Sequence, residues 1–257
     1  MELSHNGSQL KTFFDVLKDL VTDVNLVFNK NGISVVALDP EKIVGVSLTL
    51  DDLNQYQKDV EEDYYIGVNM QHLYKLIRGV GNGHVIHMQI NPDTPNVLKI
   101  VIDHPTKGTL STTSLYSLEI EKKQPVLPSI DYSIHGTIPV QDLLKSVKCL
   151  SHGTKKITIS ANEYFPRHLT LAAKGSLYLY TTSVSICPND EDGLVWHEFN
   201  TSTVRGLYLT KYIEKFLKPQ LHKTVDIYMS DDGVFLMEYK NIQVGKLKIV
   251  MVSILEE

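Results

Sequence analysis

The sequence has few of the features that mark secreted, membrane or disulfide-rich proteins. It has two cysteines in 257 residues, Cys149 and Cys187, which suits a reducing compartment better than a disulfide framework. It has no apolar run of about 18 residues, so no membrane span is predicted. The N-terminal stretch MELSHNGSQL carries neither a basic nor an apolar segment, and we expect no secretory signal there.

Residues for catalysis or metal binding also lack the spacing that such chemistry needs. Among ten histidines, His84 and His87 are three apart in a predicted strand, which places them on opposite faces. Ser151 and His152 are adjacent, but no acid is positioned to orient the histidine as in a catalytic triad. The sequence therefore predicts a protein that is not an enzyme and has no metal and no cofactor.

The chain does contain a strongly amphipathic stretch, Ser8–Val21. Its apolar residues recur at helical spacing and predict an α-helix with one buried face and Ser8 as N-cap. The opposite face carries Lys11, Asp15 and Lys18, at offsets of four and seven residues. These offsets place the three side chains on one polar stripe.

Three further segments repeat this design, with an apolar face and polar residues at the same offsets. They are Met70–Val80 with Asn69 as N-cap, Val140–Leu150 after Pro139, and Leu207–Lys218. Their polar stripes are Gln71, Lys75 and Arg78; Gln141, Lys145 and Lys148; and Lys211, Lys215 and Lys218. The sequence thus predicts four short helices of one design.

The spacing of the stripes indicates an internal repeat. The first stripe matches the third at an offset of 130 residues, and the second matches the fourth at an offset of 140. A two-helix unit is therefore used twice, and most of the sequence between the helices has the aliphatic patterns of strands. We predict an α+β fold with antiparallel sheets in two similar domains, 1–118 and 134–257, joined by a connector at 119–133.

The stripes concentrate positive charge in a chain that is acidic overall. The net charge is −5, yet the four stripes hold nine of the 25 lysines and arginines and a single acid, Asp15. Setting these nine positive charges aside leaves −14 for the remainder. A solvated face is the ordinary explanation of one lysine stripe, but four with equal spacing favour a surface for a polyanion.

Several segments resemble, in order and spacing, the sliding DNA clamps of the proliferating cell nuclear antigen family. They are LKTFFDVLKDLV, NGISVVALDPEKIVGVSLTL, IGVNMQHLYKLIRGVGN, VKCLSHGTKKITIS and MEYKNIQVGKLKIVMVSILEE. The resemblance covers the chain from about Ser8 to Glu256. It implies two DNA-clamp domains per chain and a homotrimer closed head to tail into a ring, with antiparallel sheets outside and four basic helices inside, around duplex DNA.

The resemblance and the charge pattern together predict a set of residues that contact DNA phosphates without reading base sequence. They are Lys11, Lys18, Lys75, Arg78, Lys145, Lys148, Lys211, Lys215 and Lys218. Each contact is expected to be weak, because a clamp that gripped DNA tightly could not slide.

The resemblance also implies how the chains join. Ring closure in the family pairs edge strands of neighbouring chains, which match about Thr109–Tyr116 and Gly175–Thr182 here. The candidate interface residues are Thr109, Ser111, Thr113, Leu115, Leu177, Leu179 and Thr181.

Partners of the family dock through a short peptide beside the connector. The matching positions are Leu38, Lys42, Ile43, Val126, Leu127, Pro128, Tyr132, Val234, Val250 and Val252. Val234 and Val250 replace a proline and a tyrosine common there, and Ser253 replaces a proline, so we expect an altered preference for the peptide motif.

We therefore expect a sliding clamp and DNA polymerase processivity factor. Its partners would be double-stranded DNA, a DNA polymerase, other replication and repair factors and an ATP-driven clamp loader, with no membrane. It would act in the nucleus, or at a viral replication site if a virus encodes it.

Other functions stay open at this stage. The chain could be a monomeric clamp-fold processivity factor or one subunit of a heterotrimeric checkpoint-type clamp. A DNA-processing enzyme with a basic groove would need clustered carboxylates or a nucleophile, and a structural interaction protein would carry its lysines only as solvated faces.

Overall fold

Four helices lie in a chain built mostly of strands, in a computed structural model that describes residues 2–50, 63–152, 154–164, 167–174, 181–188, 193–242 and 245–254. The helices are α1 (Gly7–Leu20), α2 (Met70–Ile77), α3 (Val140–Ser151) and α4 (Thr210–Phe216). The fold is α+β, as predicted. None of the helices in these ranges is long and apolar enough to cross a membrane.

The chain separates into two compact units. The first consists of Met1–Leu38, Val46–Val126 and Asn241–Leu247, and the second of Asp39–Gly45, Leu127–Lys240 and Lys248–Glu257. Along the chain, the main change of unit falls at Val126 and Leu127, inside the stretch 119–133. The domain limits at 118 and 134 stay a prediction.

The first unit contains α1, α2 and two groups of hydrogen-bonded strands. The strands that lie mainly in it are β1 (Glu2–Asn6), β2 (Asp23–Asn29), β3 (Gly32–Leu38), β4 (Val44–Leu50), β5 (Tyr64–Asn69), β6 (Val85–Asn91), β7 (Thr94–His104) and β8 (Thr109–Tyr116). Their order is β1-β6-β7-β8 in one sheet and β4-β3-β2-β5 in the other. Strand pairs such as β6 with β7 and β2 with β5 are antiparallel.

The second unit repeats this plan with α3 and α4. Its strands are β9 (Ile134–Pro139), β10 (Lys156–Asn162), β11 (Leu169–Lys174), β12 (Thr181–Ile186), β13 (Val195–Phe199), β14 (Thr203–Leu209), β15 (Thr224–Met229), β16 (Val234–Ile242) and β17 (Gly245–Val252). Their order is β12-β11-β10-β14 in one sheet and β13-β9-β15-β16-β17 in the other.

Each helix follows a strand without an intervening loop: β1 leads into α1, β5 into α2, β9 into α3 and β14 into α4. The prediction of Ser8 as N-cap is therefore wrong, because α1 already begins at Gly7. Leu207–Leu209, predicted as the start of the fourth helix, complete β14 instead. Asn69 is confirmed as the N-cap of α2, since its Oδ1 accepts a hydrogen bond from the His72 backbone N–H at 3.0 Å.

Some predicted strands differ from the observed ones. The sequence pattern of Leu194–Phe199 predicts a strand that enters the fourth helix, but β13 pairs with β9, and β14 precedes α4. Strands β1, β9 and β14 have no clear signal in the sequence. The acidic stretches Asp51–Asp63 and Pro188–Gly193 predict surface loops and lie largely outside the described residues.

The apolar face of each helix is buried as predicted. The buried helical residues include Leu10, Phe13, Phe14, Val16, Leu17 and Leu20 of α1; Leu73 and Ile77 of α2; Leu143, Val147 and Leu150 of α3; and Tyr212, Ile213 and Phe216 of α4. In α1 the buried arc is wider than the predicted stripe, because Val16 is also fully buried. No residue of α1 is exposed, whereas each of the other three helices has at least one exposed residue.

The start of α1 is held close to the turn that follows α2. The Gly7 N–H donates to the His84 carbonyl at 2.8 Å. A Cβ at Gly7 would lie 2.3 Å from Val80 Cγ1 and 2.9 Å from that carbonyl oxygen. Only glycine fits this close approach.

A buried carboxylate shapes the segment Asp39–Gly45 of the second unit. Asp39 Oδ1 accepts hydrogen bonds from the backbone N–H groups of Ile43 at 2.9 Å and Val44 at 2.8 Å. Its Oδ2 accepts one from the Tyr212 hydroxyl at 2.6 Å, which ties the segment to α4. Burial, reinforced by this hydrogen bond, raises the pKa of Tyr212. The turn also holds Lys42 at a φ of 59°, a conformation that few non-glycine residues adopt.

Asp39→Ala is expected to lower the free energy of unfolding by about 3 kcal/mol, because it leaves buried N–H and hydroxyl donors without an acceptor. Equilibrium urea unfolding measures this. Glu41→Ala, which removes an exposed carboxylate from the same turn, is the control and should change stability by less than about 0.5 kcal/mol. Equal losses in the two variants would contradict the role assigned to Asp39.

Candidate nucleic-acid interface

In the first unit, the cation of α1 that lies nearest α2 is largely compensated by acids. Lys18 Nζ lies 3.0 Å from Asp15 Oδ1 and 2.7 Å from Asp19 Oδ1, and 4.8 Å from the centre of the Tyr74 ring of α2. Burial alone would lower the pKa of Lys18, but the two carboxylates outweigh it and raise the pKa. Lys18 is therefore positively charged, but the two neighbouring carboxylates offset most of that charge. Its attraction for an external phosphate is correspondingly weak.

The other cation of α1 also has an internal partner. Lys11 Nζ donates a hydrogen bond to the Val80 carbonyl, beyond the end of α2. Its side chain is half-buried. An ammonium has three donors, so Lys11 can still reach an anion, but its position is set by the protein.

The cations of α2 and α3 are exposed. Lys75 lies in the last turn of α2, Arg78 is the residue that caps its C-terminus, and Lys145 and Lys148 lie along α3. Within the described residues, none of these four forms an ion pair. Basic groups at helix C-termini also interact favourably with the helix dipole, so these positions suit the helices as well as a ligand.

The three lysines predicted on the fourth helix have different surroundings. Lys211 is exposed, with its Nζ 4.5 Å from the centre of the Tyr212 ring. Lys215 is half-buried in the last turn. Lys218 lies beyond the end of α4 at Phe216, and its backbone N–H donates to the Tyr239 hydroxyl at 2.9 Å. The backbone of Lys218 is thus held by Tyr239 of β16 and not by the helix.

The predicted cations therefore fall into two pairs of neighbouring helices, α1 with α2 and α3 with α4. In each pair the helices lie side by side within one unit. Their strength as phosphate ligands differs: Lys75, Arg78, Lys145, Lys148 and Lys211 are exposed, whereas the other four are half-buried. Sequence reasoning did not distinguish these groups, although Asp15 and Asp19 beside Lys18 were a readable signal.

Part of the predicted peptide-binding set comes together in the second unit. The Val252 N–H donates to the Ile43 carbonyl at 3.1 Å, which places β17 beside the turn that Asp39 shapes. Val252 is exposed, and Val250 is buried with 8% exposure. The surface at this point thus consists of Lys42, Ile43 and Val252 rather than Val250.

The other residues predicted to bind the partner peptide differ in their surroundings. The Tyr132 ring centre lies 5.4 Å from that of Tyr228, and burial, with the nearby Glu238 carboxylate, raises the pKa of Tyr132 to about 12. Val234 and Leu127 are half-buried, and Pro128 is exposed. Leu38 and Val126, which belong to the first unit, expose 40% and 91% of their surface.

The predicted interface strand β8 is an edge strand of the first unit's β1-β6-β7-β8 sheet. Thr109, Ser111, Thr113 and Leu115 alternate along it and pair with His104, Ile102, Ile100 and Leu98 of β7. Sequence reasoning missed its most exposed apolar side chains, Leu110 at 68% and Tyr116 at 72%. An exposed edge with apolar residues is a template for pairing with another strand.

The second predicted interface stretch is described only in part. Leu177 and Leu179 lie outside the described residues. Thr181 begins β12, pairs with Lys174 of β11, and lies in the edge strand of the second unit's β12-β11-β10-β14 sheet. β8 and β12 thus occupy corresponding edges of the two units.

Comparison with known proteins finds similarity to sliding clamps. Residues 2–124 match the family described as proliferating cell nuclear antigen, N-terminal domain. The probable DNA polymerase sliding clamp 1 of Paramecium bursaria Chlorella virus 1 is 25% identical over 260 residues, covering 97% of this chain and 94% of the relative. The proliferating cell nuclear antigen of Chaetomium thermophilum is 27% identical over 238 residues, covering 91% of this chain and 89% of the relative. The chain is therefore similar to these sliding-clamp proteins over nearly its whole length, and its first half matches the N-terminal domain of proliferating cell nuclear antigen.

Proposed function

We propose that this protein is a DNA sliding clamp and polymerase processivity factor. The observation that carries the proposal is two sets of exposed cations, Lys75 with Arg78 at the end of α2 and Lys145 with Lys148 on α3, which form no ion pair among the described residues. The chain that carries them is similar to sliding clamps. Such a protein catalyses no reaction. It raises the rate of synthesis by keeping a polymerase on its template.

The exposed cations Lys75, Arg78, Lys145, Lys148 and Lys211 make the main phosphate contacts, and Lys11, Lys18, Lys215 and Lys218 add weaker ones. Lysine and arginine contacts to phosphate carry no base information, so binding is independent of sequence and sensitive to salt. Compensation of Lys18 by two acids limits the strength of the grip. A moderate electrostatic attraction of this kind permits sliding.

Three chains close into a ring by pairing β8 of one chain with β12 of the next. The exposed backbone of both edge strands and the side chains of Leu110 and Tyr116 support this pairing. The contact joins two different surfaces, so it must close by rotation. A monomeric processivity factor and a heterotrimeric clamp are the alternatives, distinguished by the native mass.

Polymerase and other replication or repair factors dock through a short peptide on the surface that includes Lys42, Ile43 and Val252. An exposed strand end beside a rigid turn suits an extended or one-turn peptide with apolar anchors. An ATP-driven loader opens the ring. The protein acts in the nucleus, or at a viral replication site if it is encoded by a virus.

The variant Lys75→Ala/Arg78→Ala/Lys145→Ala/Lys148→Ala is expected to shorten the products of clamp-dependent primer extension. Its affinity for duplex DNA should also depend less on salt, with a slope of log K against log salt that is shallower by up to about 0.9 per lost contact. Primer extension on a long template and fluorescence anisotropy of a labelled duplex measure the two effects.

The matched control removes the same number of exposed basic side chains elsewhere: Lys30→Ala/Lys99→Ala/Lys223→Ala/Lys246→Ala. It should keep wild-type product lengths. Unchanged synthesis with the helix variant, at wild-type thermal stability, would refute the clamp role and favour solvated lysine faces. Metal-dependent cleavage of plain duplex by the wild type would refute the assignment as a non-enzyme.

Sedimentation equilibrium over a range of concentrations is expected to give a species of three chains. Leu110→Asp/Tyr116→Asp should shift it to monomers, because two charges replace exposed apolar groups on the pairing edge. Val126→Asp places a charge at a still more exposed apolar site away from β8 and should leave the trimer intact. A wild-type monomer at all concentrations would exclude the homotrimer.

A further inference from the structure

Strands β9, β13 and β15 bring two histidines and an aspartate together in the second unit. The residues are His135, His197 and Asp226, and one potential ligand atom from each lies within 4.8 Å of the others. They are far apart in sequence and outside every site considered above. Two imidazoles and a carboxylate are a usual ligand set for Zn²⁺.

The register of the strands explains why these side chains meet. β15 pairs with β9 so that Asp226 lies opposite Thr137, and His135 lies two residues from Thr137 on the same face of β9. On β13, Trp196 pairs with Gly136 and Glu198 with His135, which leaves His197 as the extra residue of a bulge. A bulge redirects a side chain, and such positions recur beside functional sites.

Thr137 connects two members of the cluster. Its Oγ1 lies 2.7 Å from Asp226 Oδ1 and 2.7 Å from His197 Nε2. Because an ionised carboxylate can only accept, the hydroxyl donates to Asp226 and accepts from His197. Thr137 therefore orients both side chains towards the same point.

The third member carries an unsatisfied polar atom. The His135 ring stacks on Tyr228, with centres 4.3 Å apart and planes 4° from parallel. Its Nε2 is buried and has no hydrogen-bond partner among the described residues. A buried ring nitrogen without a partner is costly unless a ligand satisfies it.

We propose that His135, His197 and Asp226 bind a divalent transition-metal ion of the Zn²⁺ class, with water completing the coordination. Mg²⁺ and Ca²⁺ fit less well because they prefer a shell of oxygen ligands. Zinc bonds of about 2.0–2.1 Å bring tetrahedral ligand atoms to about 3.4 Å from one another. The exposed His197 side chain can make this small approach, at the expense of its hydrogen bond to Thr137.

Neighbouring charges set the strength of the site. Lys240 Nζ lies 3.2 Å from Asp226 Oδ2, which holds that oxygen and leaves Oδ1 for the metal. The same ammonium repels a cation, which Asp226 and the nearby Glu198 oppose.

Bound metal would join β13, an edge strand, to β9 and β15. Strand β13 is hydrogen-bonded to a neighbouring strand, β9, on one side only. The site thus adds a cross-link at the least supported strand of this sheet. Metal binding to the folded chain alone raises its thermal stability.

The test uses the full chain, freed of metal by chelation. Titration with ZnCl₂ is followed by calorimetry. Titration with Co²⁺ is followed by visible absorption, which reports the coordination geometry. We expect one ion per chain and a higher thermal midpoint with Zn²⁺. His197→Ala, which removes an exposed ligand, and His135→Gln should each weaken binding more than about tenfold.

His222→Ala, an exposed histidine of the same unit, is the control and should bind as the wild type does. No binding by the wild type, or equal affinity in the wild type and His197→Ala at equal thermal stability, overturns the proposal. Loss of the ion in His104→Ala instead would place it at the His84–His104 pair, whose ring nitrogens lie 3.1 Å apart, and would equally overturn it.

Discussion

Burial of one face of each helix decides where the positive charges of this chain lie. All four helices start directly from a strand, so the rotation of each helix about its axis is set by the sheet that precedes it. Leu73, Leu143 and Phe216 enter the cores of their units. With the apolar faces fixed in this way, the residues on the opposite side of each helix are turned towards water. The cation stripes therefore follow from core packing, independently of the proposed role in binding DNA.

The same constraint makes the four helices unequal. α1 is the longest helix, with 14 residues, and buries Val16 in addition to the expected stripe. Its lysines are drawn into contacts with Asp15, Asp19 and the Val80 carbonyl. Among the residues that the structure describes, the exposed cations of α2 and α3 form no ion pair. A net charge of −5 is therefore compatible with a basic surface, because the acids that balance it lie elsewhere or beside α1.

Periodicity along the chain predicted the helices and their exposed faces well, because both depend on neighbours three or four residues away. The Asn69 cap was equally readable, since the cap and its donor are three residues apart. Boundaries were less predictable. β14 runs into α4 through Leu207–Leu209, whose apolar residues satisfy a strand and a helix equally, and only pairing with Lys156–Thr158 of β10 decides between them.

Contacts across long sequence separations left no local signal. Asp39 looks like an ordinary turn residue, yet its partner Tyr212 lies 173 residues away. The same limit explains why the spacing of histidines along the sequence does not predict a zinc site at His135 and His197. Their meeting depends on the register between strands and on a bulge that sequence patterns do not reveal. The basic surface needs only the helix repeat, and so it can be read from the sequence; a three-strand metal site needs the pairing of the sheet, and so it requires the structure.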